Sequence, residues 1–228
     1  MISKTGNRCS LRTAAALSAV ALLVGCSGFG KEADPSGKQV SAAESALAAQ
    51  PLIKPLKPAR KPRFSVGDSF VFKFGNGVQQ TENVVAVHGD RVGWALANGA
   101  KWTTSSTAMF NTSRWSGTKN FGKGHQRFVG WSRSLFPLRV GRSVRYRAVG
   151  RSTQDPKKWT LKWTCTVPSQ ERVTVVAGSF DTFRVICHRP GQTRTYYYAP
   201  KVGLYVLRLT MGTNPGSKEL VSYRKVRS

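Results

Sequence analysis

Between Arg114 and Ser134 the chain reads RWSGTKNFGKGHQRFVGWSRS. Here Arg114, Lys119, Lys123, Arg127 and Arg133 alternate with Trp115, Phe121, Phe128 and Trp131, and no acid intervenes. Guanidinium groups hold phosphate or carboxylate in a bidentate fashion, while aromatic rings stack on sugars or sit at a lipid interface. Such a segment suits an anionic polymer or headgroup. The competing reading is a Gly-rich loop whose aromatics plug an open sheet end while its cations merely face water. Groups for bond-breaking chemistry are sparse. His88, His125 and His188 form no HxxxH or HxH spacing and there is no CxxC, so neither zinc nor another metal is expected. From Phe64 onward the acids are Asp68, Glu82, Asp90, Asp155, Glu171, Asp181 and Glu219, mostly beside turn residues. No G-x-S-x-G elbow and no P-loop occurs. A non-catalytic protein without cofactor is expected, and a hydrolase with an unrecognisable site is the remote alternative.

The elements that would position these residues are strands. SFVFKF alternates Phe70, Phe72 and Phe74 against Val71 and Lys73. Gly75-Asn76-Gly77 and His88-Gly89-Asp90 mark turns, and Asn98-Gly99 suggests a type I′ hairpin. SVRYRAV sets Val144, Tyr146 and Ala148 against Arg145 and Arg147. KWTLKWTCTV sets Trp159, Leu161, Trp163, Cys165 and Val167 against Lys and Thr. Pro168-Ser169-Gln170, Gly178-Ser179, Pro190-Gly191 and Pro200-Lys201 read as further turns. The pattern predicts an all-β antiparallel meander of about nine or ten strands, forming a barrel, half-barrel or sandwich over residues 64–228.

Ahead of it, Lys4, Arg8 and Arg12 precede the apolar run TAAALSAVALLVG, which ends at Cys26. A helix of roughly 13 residues reaches only about 20 Å, too short for a bilayer core of about 30 Å. The arrangement is that of a secretory signal peptide over residues 1–25. Its end, LVGC, resembles a bacterial lipoprotein lipobox. The resemblance implies a diacylglyceryl thioether on Cys26, cleavage before it and acylation of the new amino group. Several acyl chains are what stable anchoring requires. Ser27 in place of Asp resembles the pattern sent to the outer membrane, which implies the inner leaflet facing the periplasm.

Residues 26–63 then read as anchor and linker. A short SAAESALAAQ stretch opens like a capping box, and PLIKPLKPARKPR is a Pro-rich basic run expected to be a polyproline II spacer. It would hold the domain on the order of 40 Å away. Loss of Lys4, Arg8 and Arg12 with the leader lowers the formal charge from +26 to +23, of which +19 belongs to residues from Phe64 onward. In an exported protein such an excess favours lipopolysaccharide, peptidoglycan or lipid headgroups, with no nucleic acid expected. Cys165 and Cys187 pull two ways. Export favours a disulfide, yet an intervening strand ERVTVVA would place them about 9.6 Å apart, against the 4.4–6.8 Å a bridge requires. The bridge stays open at this level.

ERVTVVAGSFDTFRVICHR followed by TRTYYYAPKVGLYVLR, with FPLRVGRSVRY upstream, resembles a class of bacterial envelope β-domains with a VTVPAGTFxTFRV hairpin and a YAPxVG strand. The resemblance covers about Phe136–Arg208 and departs from the pattern at Val176, where proline is usual. It implies a fold and a compartment and brings no activity with it. The sequence therefore predicts a lipid-anchored envelope protein, structural or binding anionic envelope components. A lipid or lipoprotein carrier with a hollow half-barrel is the alternative.

Overall fold

Why the strands close on themselves is visible in one of them. In the computed structural model, which describes residues 50–52, 54–118, 122–132, 134–154 and 157–226, Trp159–Val175 is a single strand of 17 residues. Numbered in chain order, the strands are β1 (Gln50–Pro51), β2 (Ser69–Phe74), β3 (Gln79–His88), β4 (Arg91–Ala95) and β5 (Lys101–Ser105). They continue with β6 (Asn111–Thr118), β7 (Gly122–Val129), β8 (Ser143–Ser152), β9 (Trp159–Val175) and β10 (Gly178–Arg189). The last three are β11 (Gln192–Ala199), β12 (Leu204–Gly212) and β13 (Gly216–Arg224). The first half of β9 pairs with β8 from Gly150↔Trp159 to Ser143↔Thr166, and β9 also pairs with β10 from His188↔Thr164 to Gly178↔Val175. With β13 pairing β2, the ring β2 to β13 closes as a 12-stranded antiparallel barrel. The all-β antiparallel expectation holds; the count of nine or ten strands is corrected to twelve.

The undercount has a physical source at Pro168. A proline lacks the N–H of a ladder bond and reads as a turn. Here Arg184 pairs Ser169 while Ile186 pairs Thr166, so Val167 and Pro168 together oppose Val185. The proline is absorbed in a β-bulge, and the strand runs on. The turn falls instead at Val176-Ala177, between the paired Val175 and Gly178. This also overturns the idea of an intervening strand: Cys165 and Cys187 are direct partners on β9 and β10 and form a disulfide with Cα atoms 4.0 Å apart. At Asn98-Gly99 the loop is longer than a two-residue turn. Leu96 donates to Ala100, and among the described residues only Gly99 of this loop has positive φ, at 84°.

Alternation works as expected on β8, where Val144, Tyr146 and Ala148 are buried and Arg145 and Arg147 exposed. The inward rows meet in a filled lumen. Phe64, Phe110 and Phe136, none of them on a strand, enter it. The Phe64 ring lies 5.5 Å from Trp94 and 6.2 Å from Phe70; Phe110 lies 6.2 Å from Tyr205 and Phe136 5.6 Å from Tyr198. Phe110 gets there through a strained turn, with Met109 at φ 50° and Phe110 at φ 58°. Left-handed backbone costs roughly 1–2 kcal/mol per residue, and burying two large apolar side chains offsets it at about 1.5–3 kcal/mol each.

The Pro-rich run also departs from expectation. Over residues 54–63 it lies on the barrel instead of leading away from it. Leu56 N–H donates to Gln170 Oε1 at 2.9 Å and Gln170 returns a bond to Leu56 O. Ala59 and Leu138 exchange backbone hydrogen bonds of 2.9 and 2.8 Å. The leader, Cys26 and the rest of the linker before Gln50 lie outside the described residues.

Candidate functional site

The segment Arg114–Ser134 is no irregular loop. It contributes the hairpin β6–β7 to the barrel wall, and its side chains divide by the pleat. Trp115 and Gly124 are paired, so they share a face, as do Arg114 and His125 on the other. Gly124 is there because nothing larger fits: a Cβ would stand 2.4 Å from Trp115 Cζ2. Trp115 thereby reaches Trp159 at 6.3 Å between ring centroids. It packs on the wall, half-buried.

Beyond Arg114↔His125 the two strands part. β6 continues back to Asn111 and β7 on to Val129, yet no register joins them there. A bulge at Ser113, between Thr103↔Arg114 and Thr104↔Thr112, turns β6 away. The side chain of Gln126 spans the gap, donating from Nε2 to Thr112 O. The result is an open slot of about 690 Å³, with Ser105, Thr107, Ser113 and Arg114 on one bank and His125, Arg127, Phe128 and Trp131 on the other. Arg91, Arg151 and Lys158 complete its cationic lining, and Asp90 is its one acid.

The cationic row is a consequence of register. Arg114 pairs His125 and His125 pairs Arg151, so three basic side chains from three strands stand abreast on the outer face. Arg114 and Arg151 are thus two strand spacings apart, about 9.6 Å, with His125 between them. Asp90, the acid of the slot, is engaged by its own neighbours. Ser105 Oγ donates to its Oδ2 at 2.7 Å. Burial pushes the Asp90 carboxyl up, but bonds from Ser105 and Thr107 and the charge of Lys61 outweigh that and hold it below the ordinary value. The other described acids are also engaged. Asp68 caps Ser65 and Val226 and meets Lys225 at 2.7 Å. Glu82 meets Lys218, Asp181 meets Arg172, Glu171 accepts from Ser169, and Glu219 accepts from Val176 N–H. Among the described residues no carboxylate forms an ion pair with Arg91, Arg114, Arg127, Arg151 or Lys158.

The slot has an aromatic floor. Trp131 stacks on Tyr146 at 4.4 Å and Phe128 meets Tyr146 edge-on at 5.7 Å. Tyr146 is itself locked in place, its hydroxyl accepting from Asn111 Nδ2, and burial pushes its phenol far up.

Of the residues the sequence singled out, Arg114, Arg127 and Trp131 line the slot. Lys123 is exposed on β7 away from it, and Trp115 packs on Trp159. Lys119, Phe121 and Arg133 lie outside the described residues. Arg91, Arg151 and Lys158 were missed: they come from other strand ends, and only the outward phase of Arg145-x-Arg147 on β8 hinted that Arg151 would follow. For metal or acid–base chemistry, the described residues contain no group of three His, Cys, Asp or Glu side chains able to hold an ion. His188 Nδ1 lies 3.0 Å from Thr193 Oγ1, and its nearest partner is thus a neutral hydroxyl.

Fold and site together define a closed antiparallel β-barrel with a cationic slot through its wall. No family model and no curated protein matches the chain. Among solved structures it is similar to the hypothetical lipoprotein YmcC of Escherichia coli K12, at 9% identity and a TM-score of 0.49, over 87% of this chain and 99% of that one. It is also similar to a candidate exported protein with YmcC-like fold from Bacteroides fragilis, at 13% identity and a TM-score of 0.39, over 73% and 100%. A candidate lipoprotein from Parabacteroides distasonis follows at 12% identity and a TM-score of 0.37, over 74% and 100%.

Proposed function

We propose that this chain is a lipid-anchored, non-catalytic protein of the bacterial envelope, attached through Cys26 to the inner leaflet of the outer membrane. Its barrel holds an anionic envelope component, such as the phosphorylated sugars of lipopolysaccharide or the carboxylates of peptidoglycan, in the slot between β6 and β7. The observation that carries this is the set of five cations around the slot to which, among the described residues, no carboxylate is ion-paired, above a floor of Phe128 and Trp131. Guanidiniums so placed take phosphate or carboxylate oxygens, and the indole offers a face for a sugar ring.

The test is retention of the chain on immobilised lipopolysaccharide and on peptidoglycan at rising salt. A triple variant Arg114→Gln, Arg127→Gln, Arg151→Gln should elute at markedly lower salt than the parent. Equal elution of parent and variant would reject the slot as the binding site. Mass spectrometry of the cell-purified protein tests the anchor: an intact, unmodified leader would reject lipidation.

A further inference from the structure

The ten residues from Lys54 to Arg63 carry five cations and no acid, and their burial repeats every three residues. Leu56 and Pro62 are half-buried and Ala59 is buried, whereas 54, 55, 57, 58, 60, 61 and 63 are exposed. Three residues per turn is the repeat of a polyproline II ridge. Pro55, Pro58 and Pro62 enforce it by fixing their own φ and driving the residue before each into extended backbone. The inner edge is pinned at three points along the barrel: Leu56 on Gln170, Ala59 on Leu138, and Pro62 Cβ at 3.4 Å from where a Cβ on Gly203 would stand.

With the edge 56–59–62 fixed inward, a second edge of the same ridge must point away. That edge is Lys54, Lys57, Arg60 and Arg63, all exposed. Their spacing is about 9 Å, so the four span roughly 28 Å. Among the described residues none of the four pairs with a carboxylate, and Lys61, on the third edge, is the one whose charge is felt by Asp90. At the end of this ladder two valines are exposed where apolar side chains are usually covered: Val66 at 60% and Val226 at 39%. Val226 Cγ2 lies 3.1 Å from where a Cβ on Gly67, the sequence neighbour of Val66, would stand. Lys225, next to Val226 in sequence, donates from Nζ to Arg63 O at 3.1 Å, which brings the end of the ladder to this place.

From this we infer that the docked ridge and the valine patch form a membrane-contact surface that seats the barrel on anionic phospholipid headgroups. The cation ladder fits a plane of phosphates, and exposed apolar tips inside a basic rim fit the headgroup boundary better than they fit a hydrated polysaccharide. The inference takes its choice of partner from the envelope assignment above, but not its geometry.

The experiment uses the full chain with Cys26→Ala, so that no acyl group masks weak binding. Co-sedimentation is measured with vesicles of phosphatidylcholine alone and with phosphatidylglycerol added. The parent should bind only the anionic vesicles. The variant Lys54→Gln, Lys57→Gln, Arg60→Gln, Arg63→Gln should lose roughly fivefold per removed cation, on the order of a hundredfold in all after screening. Its retention on lipopolysaccharide through the slot should stay, and Arg60→Lys, Arg63→Lys should bind vesicles as the parent does. Near-ultraviolet circular dichroism controls for folding. Vesicle binding unchanged in the four-residue variant, or reduced equally by the slot variant, would overturn the inference. Loss of lipopolysaccharide retention in the slot variant alone would leave the ridge untouched and bears only on the slot.

Discussion

Inside the barrel, one carboxylate serves two cations, and this makes a sharply asymmetric prediction. Glu82 on β3 and Lys218 on β13 are both buried and meet at 2.6 Å. Lys218 Nζ also donates to Tyr205 OH at 2.9 Å and stands 4.0 Å above the Phe72 ring. Arg208 on β12 is the register partner of Lys218. Its guanidinium lies over Tyr205, and its Nε is buried without a hydrogen-bond partner among the described residues. Burial pushes that guanidinium down; the neighbouring Tyr205, Tyr196 and Glu82 outweigh the burial and raise it.

Glu82→Gln therefore strands two buried cations, whereas Lys218→Met leaves Glu82 facing Arg208. Breaking a buried pair by deleting one partner is worth about 3–5 kcal/mol. Losing a hydrogen bond to a charged group whose acceptor keeps another cation is nearer 1.5–3 kcal/mol. Glu82→Gln should thus be the worse of the two by about 2 kcal/mol, a factor of roughly 30 in the unfolding constant. Urea denaturation at neutral pH, followed by tryptophan fluorescence with the disulfide oxidised, reads both. Adding Lys218→Met to Glu82→Gln should restore some stability, because one stranded charge is removed. If Lys218→Met alone proves as damaging as Glu82→Gln, the shared-carboxylate argument is wrong.

Two further outcomes can be measured on the unmodified chain. Reducing Cys165–Cys187, which are 22 residues apart, should lower stability by about 3 kcal/mol on the loop-entropy model, read as a fall in the urea midpoint with added dithiothreitol; an unmoved midpoint would contradict it. Burial pushes the Tyr146 and Tyr198 phenols up in the folded chain, so the folded state retains protons that an unfolded phenol gives up near pH 10. The stability this confers is full below about pH 10 and is lost as pH climbs toward the folded values. An alkaline titration should show these two of the six tyrosines ionising only as the near-ultraviolet signal collapses, and six ionising together with the fold intact would refute the argument.

How much of this was legible in the chain depends on the range of the contact involved. The alternation of Val144, Tyr146 and Ala148 against Arg145 and Arg147 gave β8 its two faces directly, because the pleat is local. Closure was not legible, since it depends on β9 running through Pro168, and a bulge is decided by the partner strand. The same error separated two cysteines that are in fact opposite each other. Arg114, Arg127 and Trp131 were recognisable because they share one segment; Arg91, Arg151 and Lys158 join them only through pairings between strands far apart in sequence. The Pro-rich run showed its conformation but not its docking. Leu56, Ala59 and Pro62 are a weak apolar signal, and the Gln170 that holds Leu56 is 114 residues away.

The placement of charge then follows from what each side of the wall can tolerate. A cation inside the lumen must have a partner, and the lumen's cations crowd around Glu82 or rest on aromatic faces, as Arg194 and Arg189 do over Trp163 at 5.4 and 5.6 Å. Cations on the outer face are solvated, so the wall can carry Arg114, Arg127 and Arg151 without acids. The gap between β6 and β7 opens just beyond Arg114. The Gln126 side chain spans that gap, where no ladder runs. An anion seated there would neutralise the row and tie the two banks together at once. Binding to the native chain alone stabilises it, by about 2.7 kcal/mol at a hundredfold excess over Kd. On the reading proposed above, an anion in the slot would thus add a second tie between β6 and β7 beside the Gln126 bridge.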